Sequence, residues 1–190
     1  GVDEFLNACE TAELRGSAGM ETRAYVPAFS EREINSPGEP GVYYHMGIGF
    51  TRSEVPADEP EACAILADMR DRAEQRNRDM VERVNAYLGD VALDYDRDVL
   101  PRTPSGNATE RHMCAAYVDL VKESVADPVA FWAEKLETDP EAVAAVIDDD
   151  PKIQSLVRAK LMKRGGVGYV QPGPETFPTV SVQAPSIGEL

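Results

Sequence analysis

The sequence predicts an α/β chain that is mostly helical, and three observations carry that expectation. Two apolar, glycine-punctuated runs, Ser17 to Tyr25 and Val42 to Phe50, read as strands. Between Pro60 and Leu88, residues Ile65, Leu66, Met69, Ala73, Met80, Val81, Val84 and Leu88 recur at steps of three and four, the pattern of one long amphipathic helix. From residue 127 onward, aspartates beside prolines mark a series of short helix starts.

In chain order, Val2 to Cys9 reads as the middle of a helix, so the chain is expected to be an internal piece of a longer protein. The connection from Pro27 to Gly41 holds the turn formers Asn35-Ser36-Pro37-Gly38 and is longer than an ordinary loop. It joins the two strands and is expected to border the active site, with Arg32 facing an anionic substrate; a solvated surface excursion is the alternative. The long helix should stop at Gly89. Its polar face, with Arg70, Arg72, Arg76, Arg78 and Arg83 among interleaved acids, reads as salt-bridged and solvated, and Arg76 is the arginine singled out to turn toward a substrate phosphate. Asp127-Pro128, Thr138-Asp139-Pro140 and Asp150-Pro151 begin three short helices, the last stopping at Gly165-Gly166. These should pack around Trp132, with Phe131, Leu136, Val143, Val146, Ile147, Leu156, Val157 and Leu161 as candidates for the core. After Tyr169 the chain is proline-rich and has no clear element.

Only two histidines occur, and both sit where ligand chemistry is plausible. Gly19-Met20-Glu21-Thr22 and Tyr44-His45-Met46-Gly47 each set a metal-capable side chain in a strand-like run. The other histidine, His112, follows Arg111 in the expected first turn of a helix for which Ser105, Asn107 and Thr109 offer caps. Free N–H groups at such a helix start, beside two donor side chains, suit a phosphate. By residue chemistry alone, a His112 merely hydrogen-bonded to its neighbours is an equal reading. Three well-separated cysteines, Cys9, Cys63 and Cys114, argue against a disulfide framework and suit a reducing, cytoplasmic compartment.

The formal charge of −15 argues against a duplex nucleic-acid footprint, since phosphate backbones are held by clustered Lys and Arg. No stretch is apolar enough for a membrane span. The Gly165-Gly166-Val167-Gly168 run follows a helix, not a strand, which removes a nucleotide-loop reading, and Ser17, Ser36 and Ser105 have no base spaced in a recognisable nucleophile motif.

Together these places resemble the PHP (polymerase and histidinol phosphatase) family of metal-dependent phosphoesterases. Gly19-Met20-Glu21 resembles the family's Gly-hydrophobic-Glu strand, and Tyr44-His45-Met46-Gly47-Ile48-Gly49 its next strand. The run from Arg70 to Asn85 is similar to its Arg-rich helix, and Glu110-Arg111-His112-Met113 to its Arg-x-His-hydrophobic-Ala segment, with one residue fewer between Arg and His. Lys163 to Val170 is similar to the passage leading back to the barrel. The family's His-x-His and Asp-x-His patterns have no counterpart here.

The resemblance implies a partial, distorted (β/α)7 barrel segment over 1–100, a helical insertion over 101–165 and a return segment over 166–190. It implies Glu21 and His45 as ligands of divalent metal ions (Mn, Zn, Fe or Mg), their side chains converging on one sheet face. For Arg111 and His112 the resemblance favours contact with a small phosphorylated substrate, and Arg76 and Arg32, singled out above from their helix face and loop, are the further expected contacts. In such chemistry a bridging carboxylate lets two cations activate water and neutralise a phosphoester. Two ligands cannot hold two metals, so this segment is expected either to be completed by other donors or to be a catalytically silent binding or regulatory module.

Overall fold

The computed structural model describes residues 2–52, 54–55, 58–103 and 106–179. Its elements run α1 (Val2–Thr11), β1 (Ala18–Tyr25), β2 (Val42–Phe50), α2 (Pro60–Leu88), α3 (Glu110–Ser124), α4 (Pro128–Lys135), α5 (Pro140–Ala144) and α6 (Asp150–Val157). The chain divides into two compact units, 1–72 with 172–190, and 73–171. These bounds differ from the divisions at 100 and 165 drawn from the sequence, because the C-terminal half of α2 places Met80, Val81, Val84 and Leu88 in the helical core. Among the described residues, no helix is long and apolar enough to cross a membrane.

In the first unit, β1 and β2 pair antiparallel as a two-stranded sheet, with Thr22 opposite His45 and Glu21 opposite Met46. The long connection is pinned by its own side chains. Asn35 accepts the Tyr44 N–H at 2.7 Å and donates to the Tyr44 carbonyl at 3.0 Å, so one amide acts as a short strand on the outer edge of β2. Ser36 donates to Glu39 at 2.6 Å, and Glu39 takes the Arg23 guanidinium at 3.3 Å. The loop closes at Gly41, whose φ of +77° suits glycine and where a Cβ would lie 2.6 Å from the Tyr25 ring. On the other edge, the Tyr25 N–H donates to the Pro178 carbonyl at 2.9 Å, and Arg23 lies 4.6 Å over the Phe177 ring. Ala24, Val26, Val42 and Phe177 are buried.

The second unit is helical and holds the large core. α3 buries Met113, Cys114, Ala116, Tyr117, Val118 and Val121, and Trp132, Leu136, Val143, Ile153 and Val157 fill the layer around it. Each fully buried aliphatic of this kind contributes roughly 1.5–3 kcal/mol through removal from water. Asn85 ties the end of α2 to the following segment: it accepts from the Leu93 N–H at 2.9 Å, donates to the Leu93 carbonyl at 2.8 Å, and accepts the Tyr117 hydroxyl at 2.7 Å. Caps follow the aspartates. Asp127 accepts from Ala130 N–H at 2.9 Å and Asp139 from Glu141 N–H at 2.8 Å. The third cap is Asp149, one residue before the expected start, with Asp150 already helical.

The last helix also ends earlier than its glycines suggest. After Val157 the chain widens into a π turn over Arg158–Met162 and folds back, so that the Gly168 N–H donates to the Leu161 carbonyl at 2.8 Å. Gly166 makes the fold-back possible, since a Cβ there would sit 2.5 Å from the Lys160 carbonyl oxygen. Of the three expected caps of α3, Thr109 is the one used; Ser105 lies outside the described residues, as does everything from Val180 on.

Candidate functional site

Within the first unit, the sheet and the N-terminal half of α2 enclose a groove of about 790 Å³. Met20, Thr22, Ala24, Tyr43 and His45 form its sheet side. The period of two puts them there: residues two apart on a strand, and residues directly opposite across an antiparallel pair, share a face. Thr22 and His45 are such a pair, as are Met20 with Gly47 and Ala24 with Tyr43. The His45 and Tyr43 rings lie 5.9 Å apart, as same-face neighbours should.

The opposite wall is α2. Glu61, Ala64, Ile65, Asp68, Met69 and Arg72 recur at steps of three and four and therefore line one helix face. Asp68 holds Arg72 at 2.8 Å, and Arg72 also donates to the Pro174 carbonyl. Glu61 has no ion-pair partner among the described residues. The groove is thus mainly apolar, with one imidazole, one unpaired carboxylate and one internally neutralised Asp–Arg pair.

Glu21 is not part of it. It is exposed and pairs with Met46, so its side chain shares the other sheet face with Arg23, Tyr44 and Met46. The expectation that Glu21 and His45 converge on one face is therefore corrected: a one-residue offset in register sends the two side chains to opposite sides. Among the described residues, no group of three or more His, Cys, Asp or Glu is placed to hold a metal ion. Structural and catalytic zinc sites use at least three protein donors, so the residues present do not by themselves fit a two-metal centre.

The other expected site residues fall as follows. Arg32 lies exposed in the loop of the first unit, where its carbonyl accepts the Gly41 N–H at 2.8 Å. Arg76, Arg111 and His112 belong to the second unit. Arg76 is half-buried on α2, and Arg111 is exposed in the first turn of α3. His112 takes the place of the usual Glu in a capping box. Its Nδ1 accepts the Thr109 N–H at 3.1 Å and lies 3.0 Å from the Thr109 hydroxyl. That contact assigns the neutral ring the Nε2–H tautomer, with Nε2 free of hydrogen bonds among the described residues. Local capping is thus one role His112 plays.

A carboxylate shared by two cations lies beside it. Glu110 takes Arg158 Nε at 2.6 Å and Lys163 Nζ at 2.8 Å. Burial pushes the Glu110 carboxyl up, but the hydrogen bonds from Lys163 and Arg158 outweigh it and hold the group below its ordinary value. One turn on, burial first and Glu110 second push the Cys114 thiol up to about 12, which makes it an inert core group and not a nucleophile. Sequence reasoning missed Glu61 and Asp68 as groove residues, because on α2 they are indistinguishable from a solvated acidic face. Compared with known proteins, the chain matches no family model, no curated protein and no solved structure.

Proposed function

We propose that this chain is a portion of a PHP-type metal-dependent phosphoesterase, a partial barrel segment with its helical insertion, acting on a phosphomonoester or a nucleotide end in the cytoplasm. The observation that supports it is His45 on the sheet side of a groove whose opposite wall carries Glu61 and Asp68. In this reading His45 is the chain's metal donor toward the groove, for Mn, Zn, Fe or Mg. The further donors come from protein outside these residues, and Glu21 joins only in a register other than the one described. Arg111, His112, Arg76 and Arg32 are the proposed contacts to the phosphorylated substrate.

A second reading, a catalytically silent PHP-like binding or regulatory module, draws support from Glu21 and His45 facing opposite ways. One experiment separates the two. The purified chain is equilibrated with Mn²⁺ or Zn²⁺, gel-filtered, and assayed for metal content and for hydrolysis of p-nitrophenyl phosphate, alongside the Glu21→Ala and His45→Ala variants. Near-stoichiometric metal and turnover, both lost in His45→Ala, support the phosphoesterase. A metal-free, inactive chain supports the silent module.

A further inference from the structure

From Pro151 to Gln171 the sequence carries Lys152, Arg158, Lys160, Lys163 and Arg164 and no Asp or Glu, although the whole chain stands at −15. This is a local reversal of sign, and the fold concentrates it. The π turn after α6 brings Arg158 and Lys163 onto a single carboxylate, Glu110, at the start of α3. Arg111 follows it in the same helical turn. The charged groups that act on the Cys114 thiol are Glu110, Arg158, Lys163 and Arg111, three cations and one anion. Glu110 therefore holds Arg158 and Lys163 together and offsets one of the three positive charges, leaving an excess of cations.

The donors left over are of the kind an oxyanion needs. Arg158 uses Nε on Glu110, which leaves its two terminal NH₂ groups, and Lys163 uses one of its three ammonium protons. Both side chains are open to solvent, at 33% and 48% exposure, and Arg111 is exposed. The free N–H groups at the N-terminus of the 15-residue α3 add to the same positive field. We propose that Arg158 and Lys163, gathered by Glu110, form with the neighbouring Arg111 a docking site for the phosphate group of a small phosphorylated molecule. For its ligand class this rests on the phosphoesterase reading, and it extends that reading by adding Arg158 and Lys163 to the proposed substrate contacts. A nucleic acid is disfavoured as the occupant, since the rest of the chain would repel a polyanion beyond these few contacts.

The test uses the whole chain, metal-stripped, at low ionic strength, titrated with inorganic phosphate and with phenyl phosphate while backbone amide resonances are followed. Saturable shifts are expected at residues 110–114 and 158–166. Lys163→Gln and Arg111→Gln should each weaken binding about tenfold, the loss of one charge-assisted hydrogen bond. Lys163→Gln leaves the Glu110–Arg158 pair in place, and thermal melting of each variant checks its fold. Lys152→Gln removes the same charge from a residue held by Asp149 at 2.7 Å, and it should bind as wild type. Equal weakening in all three variants, or shifts spread over the whole chain, overturns the site as mere charge attraction. Hydrolysis of phenyl phosphate with Mn²⁺ is scored separately. Turnover without saturable shifts at residues 110–114 and 158–166 sinks the docking site but spares the phosphoesterase, and docking without turnover does the reverse.

Discussion

Placing a second histidine on β1 tests the face on which His45 lies. Thr22 stands directly opposite His45, and such pairs hold their Cβ atoms about 4.5–5.5 Å apart. In Thr22→His the two imidazoles can therefore share one Zn²⁺ at about 2.0–2.1 Å from each nitrogen. Glu21→His adds the same ring to the other face, out of reach. With Zn²⁺ at about one hundred times its dissociation constant, binding to the folded state alone adds about 2.7 kcal/mol. For a chain of this size that is a rise of about 5–10 °C in melting temperature. Melting with and without Zn²⁺ is compared for both variants, and the wild type sets the baseline for its cysteines. The expected result is a zinc-dependent rise confined to Thr22→His. An equal rise in Glu21→His would refute the register and restore a geometry in which Glu21 and His45 serve one metal ion.

Three further outcomes are expected. Tyr117→Phe should cost about 1 kcal/mol in denaturant unfolding, while Asn85→Leu, which orphans the Leu93 N–H and carbonyl and leaves the Tyr117 hydroxyl only the Val81 carbonyl at 3.1 Å, should cost about 3 kcal/mol or more; equal costs would show that Asn85 is not the hub. Cys114 is raised to about 12 from an ordinary 9.0, so above pH 9.0 the unfolded chain loses that proton first and stability falls, by about 1.4 kcal/mol per pH unit, as pH rises toward the folded value. Cys114→Val should flatten that slope, and an unchanged slope would remove the thiol from the account. Glu110 is depressed from 4.5, so the unfolded chain binds its proton first as pH drops below that value and stability is lost there; Glu110→Gln should be less stable at neutral pH and lack this part of the acid loss.

What the sequence disclosed and what it withheld divide along the range of the interactions. The spacing of Met80, Val81, Val84 and Leu88 placed α2 over Pro60–Leu88, and alternation placed the strands to within a residue, because periodicity is a local property of one element facing one environment. Register is not local. It depends on how the 16 residues between the strands fold, and here it is pinned by Asn35 bonding both polar groups of Tyr44, a contact with no periodic signature. Glu21 and His45 each stood out by motif, but their relation turned on that contact. The end of α6 was hidden for a related reason. Gly165-Gly166 signals a stop, yet Gly166 is required by the fold-back beneath Lys160 and Leu161, several residues after the helix has already widened.

The two units differ in how firmly they hold chemistry, and that bears on every site named above. The buried cluster lies wholly within residues 80–170, whereas among the described residues every exposed large hydrophobic except Val167 belongs to the first unit, Phe5, Met46, Ile48 and Phe50 included. A two-stranded sheet alone is marginal in water. Ligands that require β1 and β2 in a fixed register must therefore supply part of the ordering free energy themselves, and their measured affinity falls by that amount. The Glu110 cluster rests on helices with a full core and carries no such cost. A metal bound through His45 should accordingly slow hydrogen exchange across residues 18–50, while phosphate at Arg111 and Lys163 should leave exchange in α3 near its already slow rate. Exchange across residues 18–50 that is already as slow as in α3 before any ligand is added would mean that the hairpin is as well ordered as the helical core.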